Sequence, residues 1–210
     1  MIYKDILYLY AVDKNKKDHE IFSEEADAIS LKMKRKTLPS ENPAMIDPLT
    51  EISNVKGMLS AYAEKKNMKE KNLTSVTVFE IDNFSKTNRP FPQDFTQTVL
   101  KKVAFTMTLN QQSTDVVART DYNQFTVILS RASKEQLLRD TEAIRETVSE
   151  IKFVSRDRKK VIITLSGGFT IKPSGSSLED AIKKAKENLE YAQKLGGNRI
   201  AQSKEVIENR

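Results

Sequence analysis

The chain has no cysteine and a single histidine, His19, so its surface chemistry falls to carboxylates, amines and amides. Disulfides and thiolate metal sites are excluded. A His-ligated zinc centre or a Ser-His-Asp triad needs imidazoles that the sequence does not hold. His19 stands in the polar stretch NKKDHE and reads as solvated surface. An enzyme built from what remains would work with carboxylates and a hard cation such as Mg²⁺. The most suggestive polar stretch is ARTDYNQF, residues 118–125, between the β-branched runs VVA and TVILS. The flanks read as two short strands joined by a tight turn. Asn-Gly or Asp-Gly would satisfy such a hairpin. This one carries Asp121, Tyr122, Asn123 and Gln124.

The elements that must position this turn follow from composition and periodicity. At 210 residues, 38% hydrophobic and 30% charged, the chain can bury one sizeable core beneath a heavily charged surface. The net charge of +6 comes from clusters such as EKKNMKEK, SRDRKKV and IKKAKEN. These mix bases with acids and lack interleaved aromatics or glycines, so they read as solvated faces rather than a nucleic-acid surface. No apolar run approaches bilayer length, and MIYKDILYLYAVD reads as a strand rather than a signal peptide. A cytoplasmic protein without membrane insertion is the expectation.

Residues 1–46 form an expected N-terminal extension: a strand, ILYLYAV, a weakly amphipathic helix, and a Pro-containing linker ending near Ile46. Residues 47–210 then alternate regularly. DPLTEISNVKGMLSAYAEKK predicts a helix opening on Asp47 or Thr50. LTSVTVFEI, 73–81, predicts a strand buried on both faces. FPQDFTQTVLKKVAFTMTLNQ predicts a helix with Phe95, Val99, Leu100, Val103 and Met107 in one stripe. The hairpin DVVAR/QFTVILS follows, then a helix over SKEQLLRDTEAIRETVSEI, a strand over KKVIITLSGGFTI and a helix over SLEDAIKKAKENLEYAQKLGG. The order β-α-β-β-α-β predicts an α+β, ferredoxin-like core with flanking helices.

These words, in this order, resemble the GGDEF domain, the catalytic module of diguanylate cyclases. DPLTEISN resembles the family's D-x-L-T-G-L-x-N, and FEIDNFSKTN its D-I-D-x-F-K-x-x-N. DVVARTDYNQF falls where D-x-x-x-R-x-G-G-D-E-F belongs, LSGGFT where a further family strand belongs, and AKENLEYAQKLGGNRI on the closing helix. The resemblance implies a nucleotidyl-cyclase palm-like fold. It also implies a chemistry in which two GTP molecules are joined into cyclic di-GMP with two divalent cations held by carboxylates.

Position by position, the chain departs from that pattern where the chemistry lies. Glu80 replaces the first Asp of D-I-D, moving the carboxylate oxygens by about 1.5 Å against a cation intolerant of displaced ligands. Asp82 and Phe84 are kept. Asp121 and Tyr122 replace the glycine pair that would let phosphates approach. Asn123 and Gln124 replace the acidic pair and cannot act as a general base; Phe125 is kept. Asn88 matches the family's guanine-reading Asn, whereas Thr98 stands for its Asp. Gln193 and Gly197 stand where phosphate-binding Lys and Arg belong. The inhibitory product-binding motif R-x-x-D appears as Gln112-Ser113-Thr114-Asp115, so only its Asp remains.

The expectation is therefore a catalytically inactive GGDEF-like domain with no metal and no cofactor, serving as a regulatory module that binds another signalling protein. Cyclic di-GMP or GTP binding is expected to be weak or absent. The alternative is a non-catalytic effector sensing GTP or cyclic di-GMP through a remnant pocket of Glu80, Asp82 and Asn88; a weakly active cyclase stands third. Tyr122 is read either as an anchor for the partner or as a cover over Asp82 or Asn88. Asp121 or Asn123, rather than Tyr122, is expected to take any positive φ in the turn.

Overall fold

The computed structural model describes residues 42–65, 72–84, 92–109, 111–154 and 160–202, together with the backbone of Glu205–Ile207. All of them belong to one compact unit, Thr37–Arg210. The strand and helix expected in 1–41 lie outside the described residues.

The architecture is α+β and ferredoxin-like. In chain order the elements are α1 (Val55–Glu64), β1 (Leu73–Ile81), α2 (Gln93–Thr108), β2 (Val116–Arg119), β3 (Gln124–Arg131), α3 (Lys134–Ser149), β4 (Phe153–Val154), β5 (Lys160–Val161), β6 (Leu165–Ile171), α4 (Leu178–Lys194), β7 (Ile200–Gln202) and β8 (Glu205–Ile207). The main sheet runs β2-β3-β1-β6-β7-β8. Each of its first four strands is antiparallel to its neighbour, and β7 joins β6 in parallel. β4 and β5 form a separate two-stranded ladder.

Side-chain alternation along the strands sends successive residues to opposite layers. Phe79 and Ile81 of β1, with Phe125, Val127 and Leu129 of β3, meet Val99, Leu100, Val103 and Met107 of α2 and Leu137 and Val148 of α3. Val76 and Val78 of β1, with Val116, Ala118 and Ile128, meet Met58 of α1 and Leu178, Ala181, Ala185 and Leu189 of α4. Both faces of β1 are thus covered, which is why its sequence is a continuous apolar run. Gly168 lets α4 come this close: a Cβ there would lie 1.9 Å from the Ala185 carbonyl oxygen.

Two boundaries differ from the sequence reading. The first helix starts at Val55, capped by the Asn54 side chain accepting from Gly57 N, and not at Asp47 or Thr50. Asp47 instead accepts from Thr50 N and Thr50 Oγ1 in a local turn, and Glu51 adopts φ 57°, which no helix continues. The expected strand over 159–171 is split: β5 stops at Val161 and β6 begins at Leu165, with Thr164 between them bonded to Asp82. The strands β4, β7 and β8, of two or three residues each, carry no periodic signal long enough to read.

Candidate functional site

Glu80 occupies the last turn of alternation before β1 ends, on the face turned toward α4. Its register partners are Gln124 on β3 and Ser166 on β6. Gln124 Nε2 donates to Glu80 Oε2 at 2.6 Å, and Gln193 Nε2, from the last turn of α4, donates to Glu80 Oε1 at 2.9 Å. Each carboxylate oxygen therefore faces the amide of a different element. One side chain bridges the hairpin and the end of α4.

Asp82 lies just beyond β1 and serves a different group. Its Oδ1 accepts from Ser166 Oγ at 2.5 Å. Its Oδ2 accepts from Thr164 Oγ1 at 2.8 Å and from Asn198 N at 2.9 Å. The loop it holds follows α4, which ends in a Schellman motif: Gly196 N donates to the Gln193 carbonyl and Gly197 N to that of Ala192. Gly196 and Gly197 take φ 104° and 75°. A Cβ on Gly197 would meet Asp82 Oδ1 at 3.0 Å, so the glycine is needed for both its backbone and its proximity. Arg145 Nη1 of α3 donates to Asn198 Oδ1 and secures the loop from the other side.

Arg119, at the end of β2, ties the hairpin turn to residues 47–54. Its Nη1 donates to both oxygens of Asp47, its Nη2 to the Tyr122 carbonyl, and its backbone N to the Ser53 carbonyl. The turn is closed by Thr120 N and Asp121 N donating to the Gln124 carbonyl, and by Tyr122 N donating to Asp121 Oδ1. Asn123 is held by Ile81, whose N donates to its carbonyl. None of Asp121, Tyr122 and Asn123 has positive φ, so the turn closes without a left-handed residue and Tyr122 carries none of the strain. Tyr122 is 59% exposed and rests edge-on against buried Phe84, with ring centroids 5.5 Å apart.

A fourth polar group lies on the other face of the sheet. Asp115, fully buried, is forked by Arg131: Nη1 to Oδ1 at 2.7 Å and Nη2 to Oδ2 at 2.9 Å. Gln112 N donates to Oδ2, and Arg131 Nε reaches Asp140 on α3.

Residues 44–199 match the family model for the diguanylate cyclase GGDEF domain. The chain belongs to the GGDEF family. Among curated relatives it is 27% identical over 165 residues to the diguanylate cyclase DosC of Escherichia coli K12, covering 77% of this chain and 35% of that protein. It is 27% identical over 162 residues to the response regulator PleD of Caulobacter vibrioides, covering 75% and 36%. The chain thus spans about a third of the length of these relatives. Among solved structures, the DgcB GGDEF domain of Caulobacter crescentus, determined with c-di-GMP, shares the fold at TM-score 0.71 and 22% identity, covering 79% of this chain and 99% of that one. Diguanylate cyclase SiaD of Pseudomonas aeruginosa, determined with its activator SiaC, shares it at TM-score 0.69 and 18% identity, covering 96% and 74%.

Of the positions drawn from the GGDEF resemblance, Glu80 and Gln124 are in direct contact, and Asn123 is bound to the strand end between Glu80 and Asp82. Among the described residues, the carboxylates of Glu80 and Asp82 share no side-chain donor. Asn88, the third member of the expected pocket, lies outside the described residues. Gln193, read from the resemblance as a lost phosphate ligand, has a role that the reading missed, as the second clamp on Glu80. Thr98 is exposed and donates to the Asp94 carbonyl of its own helix. Arg131, which no motif named, is the principal partner of Asp115. Among the described residues, no helix is long and apolar enough to cross a membrane.

Asp47 has a pH signature. Burial pushes its carboxyl up, but hydrogen bonds from the Thr50 side chain and backbone and from Arg119 outweigh that, and the net shift is downward. A carboxylate lowered in the folded state stabilises above its unfolded value of about 3.9, and the contribution is lost as pH falls through the folded value. Asp47→Asn should therefore melt below wild type at neutral pH, with the gap closing as pH falls below about 4. Melting curves across pH 2–7 check this, and a gap independent of pH would refute it.

Proposed function

We propose that this GGDEF domain is catalytically inactive and acts as a cytoplasmic regulatory module of cyclic di-GMP signalling, binding another signalling protein. The observation that carries the reading is the clamp on Glu80, whose two oxygens are each engaged by a glutamine amide. The family's reaction implies divalent cations, and Mg²⁺ calls for near-octahedral hard oxygen donors, carboxylates above all. The residues present do not fit a metal pair. Glu80 is engaged by Gln124 and Gln193, Asp82 accepts three hydrogen bonds, and the adjoining turn offers the neutral amides of Asn123 and Gln124. Among the described residues no three acidic or histidine side chains are grouped to share an ion.

A protein partner is supported by the exposed hairpin tip, where Tyr122 offers a large ring with a polar end. The neighbour SiaD, solved with an activator protein, is a precedent for such an assembly. Residues 1–46 are proposed as an extension ahead of the domain.

The test is turnover. Incubated with GTP and Mg²⁺ or Mn²⁺ at high protein concentration, the chain should yield no cyclic di-GMP above a protein-free control. Product above that control overturns the reading.

A further inference from the structure

Strand alternation divides the β4/β5 ladder into two faces, and burial divides it the same way. On the inner face Phe153 is buried, its ring edge-on to Phe95 of α2 with centroids 6.4 Å apart, and Ile151 and Val161 pack against the same core. The outer face holds Lys152, Val154, Lys160 and Ile162, all exposed. Val154 lies directly across from Lys160. Val154 is 56% exposed and Ile162 79%, the latter the most exposed large apolar side chain among the described residues. Among the described residues neither lysine is paired with a carboxylate. A third cation stands beside the ladder: Lys102 of α2 holds its Nζ 5.8 Å from the Phe153 ring centroid. From Glu150 to Ile162 the sequence sets Lys152, Arg156, Arg158, Lys159 and Lys160 against only Glu150 and Asp157. The SRDRKKV cluster reads from sequence as a solvated face, but sequence does not show that Val154 and Ile162 share the side of Lys152 and Lys160.

We propose that this outer face docks on an anionic phospholipid surface, with Val154 and Ile162 at the headgroup boundary and the lysines among the lipid phosphates. Exposed aliphatic residues scattered singly need no explanation. Two on one face with unpaired lysines form the combination that interfacial membrane contacts use. A lysine stem can lie along the aliphatic surface while its ammonium reaches a phosphate. Composition favours lipid over a protein partner: Lys is depleted in protein interfaces and Val is scarce among their hot spots, where Tyr, Trp and Arg dominate. Single-stranded nucleic acid stacks its bases on aromatic rings, and the described outer face has none. Each basic residue near an anionic leaflet raises partitioning about fivefold, and the aliphatic pair adds a part that salt does not screen. The contact is peripheral and spans nothing. It goes beyond the regulatory reading and uses none of Glu80, Asp82 and Tyr122, so the two stand or fall separately.

The experiment is co-sedimentation of the full chain with vesicles of phosphatidylcholine alone, and with vesicles carrying about 30% phosphatidylglycerol, at low salt. Wild type should bind the anionic vesicles and not the neutral ones. Binding should fall at least tenfold (~10-fold or more) in Lys152→Glu/Lys160→Glu. It should fall by about threefold or more in Val154→Ser/Ile162→Ser, whose charge is unchanged. Melting curves check that each variant is folded, as expected for substitutions at exposed positions. Should a double variant fail to fold, the single variants Lys160→Gln and Ile162→Ser take its place with the same direction of change. Absence of binding to anionic vesicles, equal binding to neutral ones, or wild-type binding by either folded variant overturns the proposal. Capture of a DNA duplex or a poly-glutamate peptide without vesicle binding makes the partner an acidic macromolecule and overturns it too.

Discussion

Replacing Arg131 by alanine is expected to destabilise the domain by about 3–5 kcal/mol, because it strands a buried carboxylate. Asp115 has no exposure to solvent, and Arg131 is the cation that forks its carboxylate. The cost of such a deletion is chiefly the desolvation of the charge left behind rather than the net worth of the pair. That distinction makes a second expectation. Asp115→Leu with Arg131→Met, which removes both charges and keeps apolar volume, should cost far less than Arg131→Ala alone. For a domain of this size, about 2–4 °C per kcal/mol converts the single-variant loss to roughly 6–20 °C in melting temperature. Denaturant unfolding of the two variants beside wild type measures both. A loss below about 1 kcal/mol for Arg131→Ala would mean that water, or the nearby Lys65 ammonium, relieves the Asp115 carboxylate.

The core was legible because strand and helix periods were unbroken. β1 spans Leu73–Ile81, the whole of the LTSVTVFEI run, since both of its faces are covered and nothing interrupts it. The stripe Val99, Leu100, Val103 and Met107 is buried as a helical repeat requires. The segment 47–54 was misread because its apolar spacing fits a helix, while Asp47 and Asn54 use their side chains to bond local backbone in competition with it. At the site, Glu80, Asp82 and the turn residues were found by their resemblance to a motif. Their partners were not. Gln193 meets Glu80 only because an even position on β1 faces the layer containing α4, which requires knowing which helix covers which face. Arg131 reaches Asp115 through hairpin register, with Val116 opposite Ile128. No local pattern in the sequence encodes that pairing.

Asp82→Ala is expected to lower stability by about 3 kcal/mol, since hydrogen bonds to a charged acceptor contribute about 1.5–3 kcal/mol each and partial exposure returns some of that through water. Three donors converge on this carboxylate from two segments: Thr164 and Ser166 around the start of β6, and Asn198 N after α4. Asn198 sits at φ 49° and Asn83, next to Asp82, at φ 53°. Such conformations in non-glycine residues persist where neighbouring contacts hold them. Removing the carboxylate withdraws the contact common to both stretches and leaves Asn198 held through its side chain by Arg145. Asp82→Asn should fall between alanine and wild type, because an amide keeps one oxygen acceptor and turns a donor toward hydroxyls that can rotate to accept it. Unfolding in urea, with and without millimolar Mg²⁺, separates this role from metal binding. A carboxylate that fastens a loop makes the variants less stable to the same extent in both buffers. A Mg²⁺-dependent rise in wild-type melting that disappears in Asp82→Ala would instead make Asp82 a cation ligand, and would reopen the reading of this site as inactive.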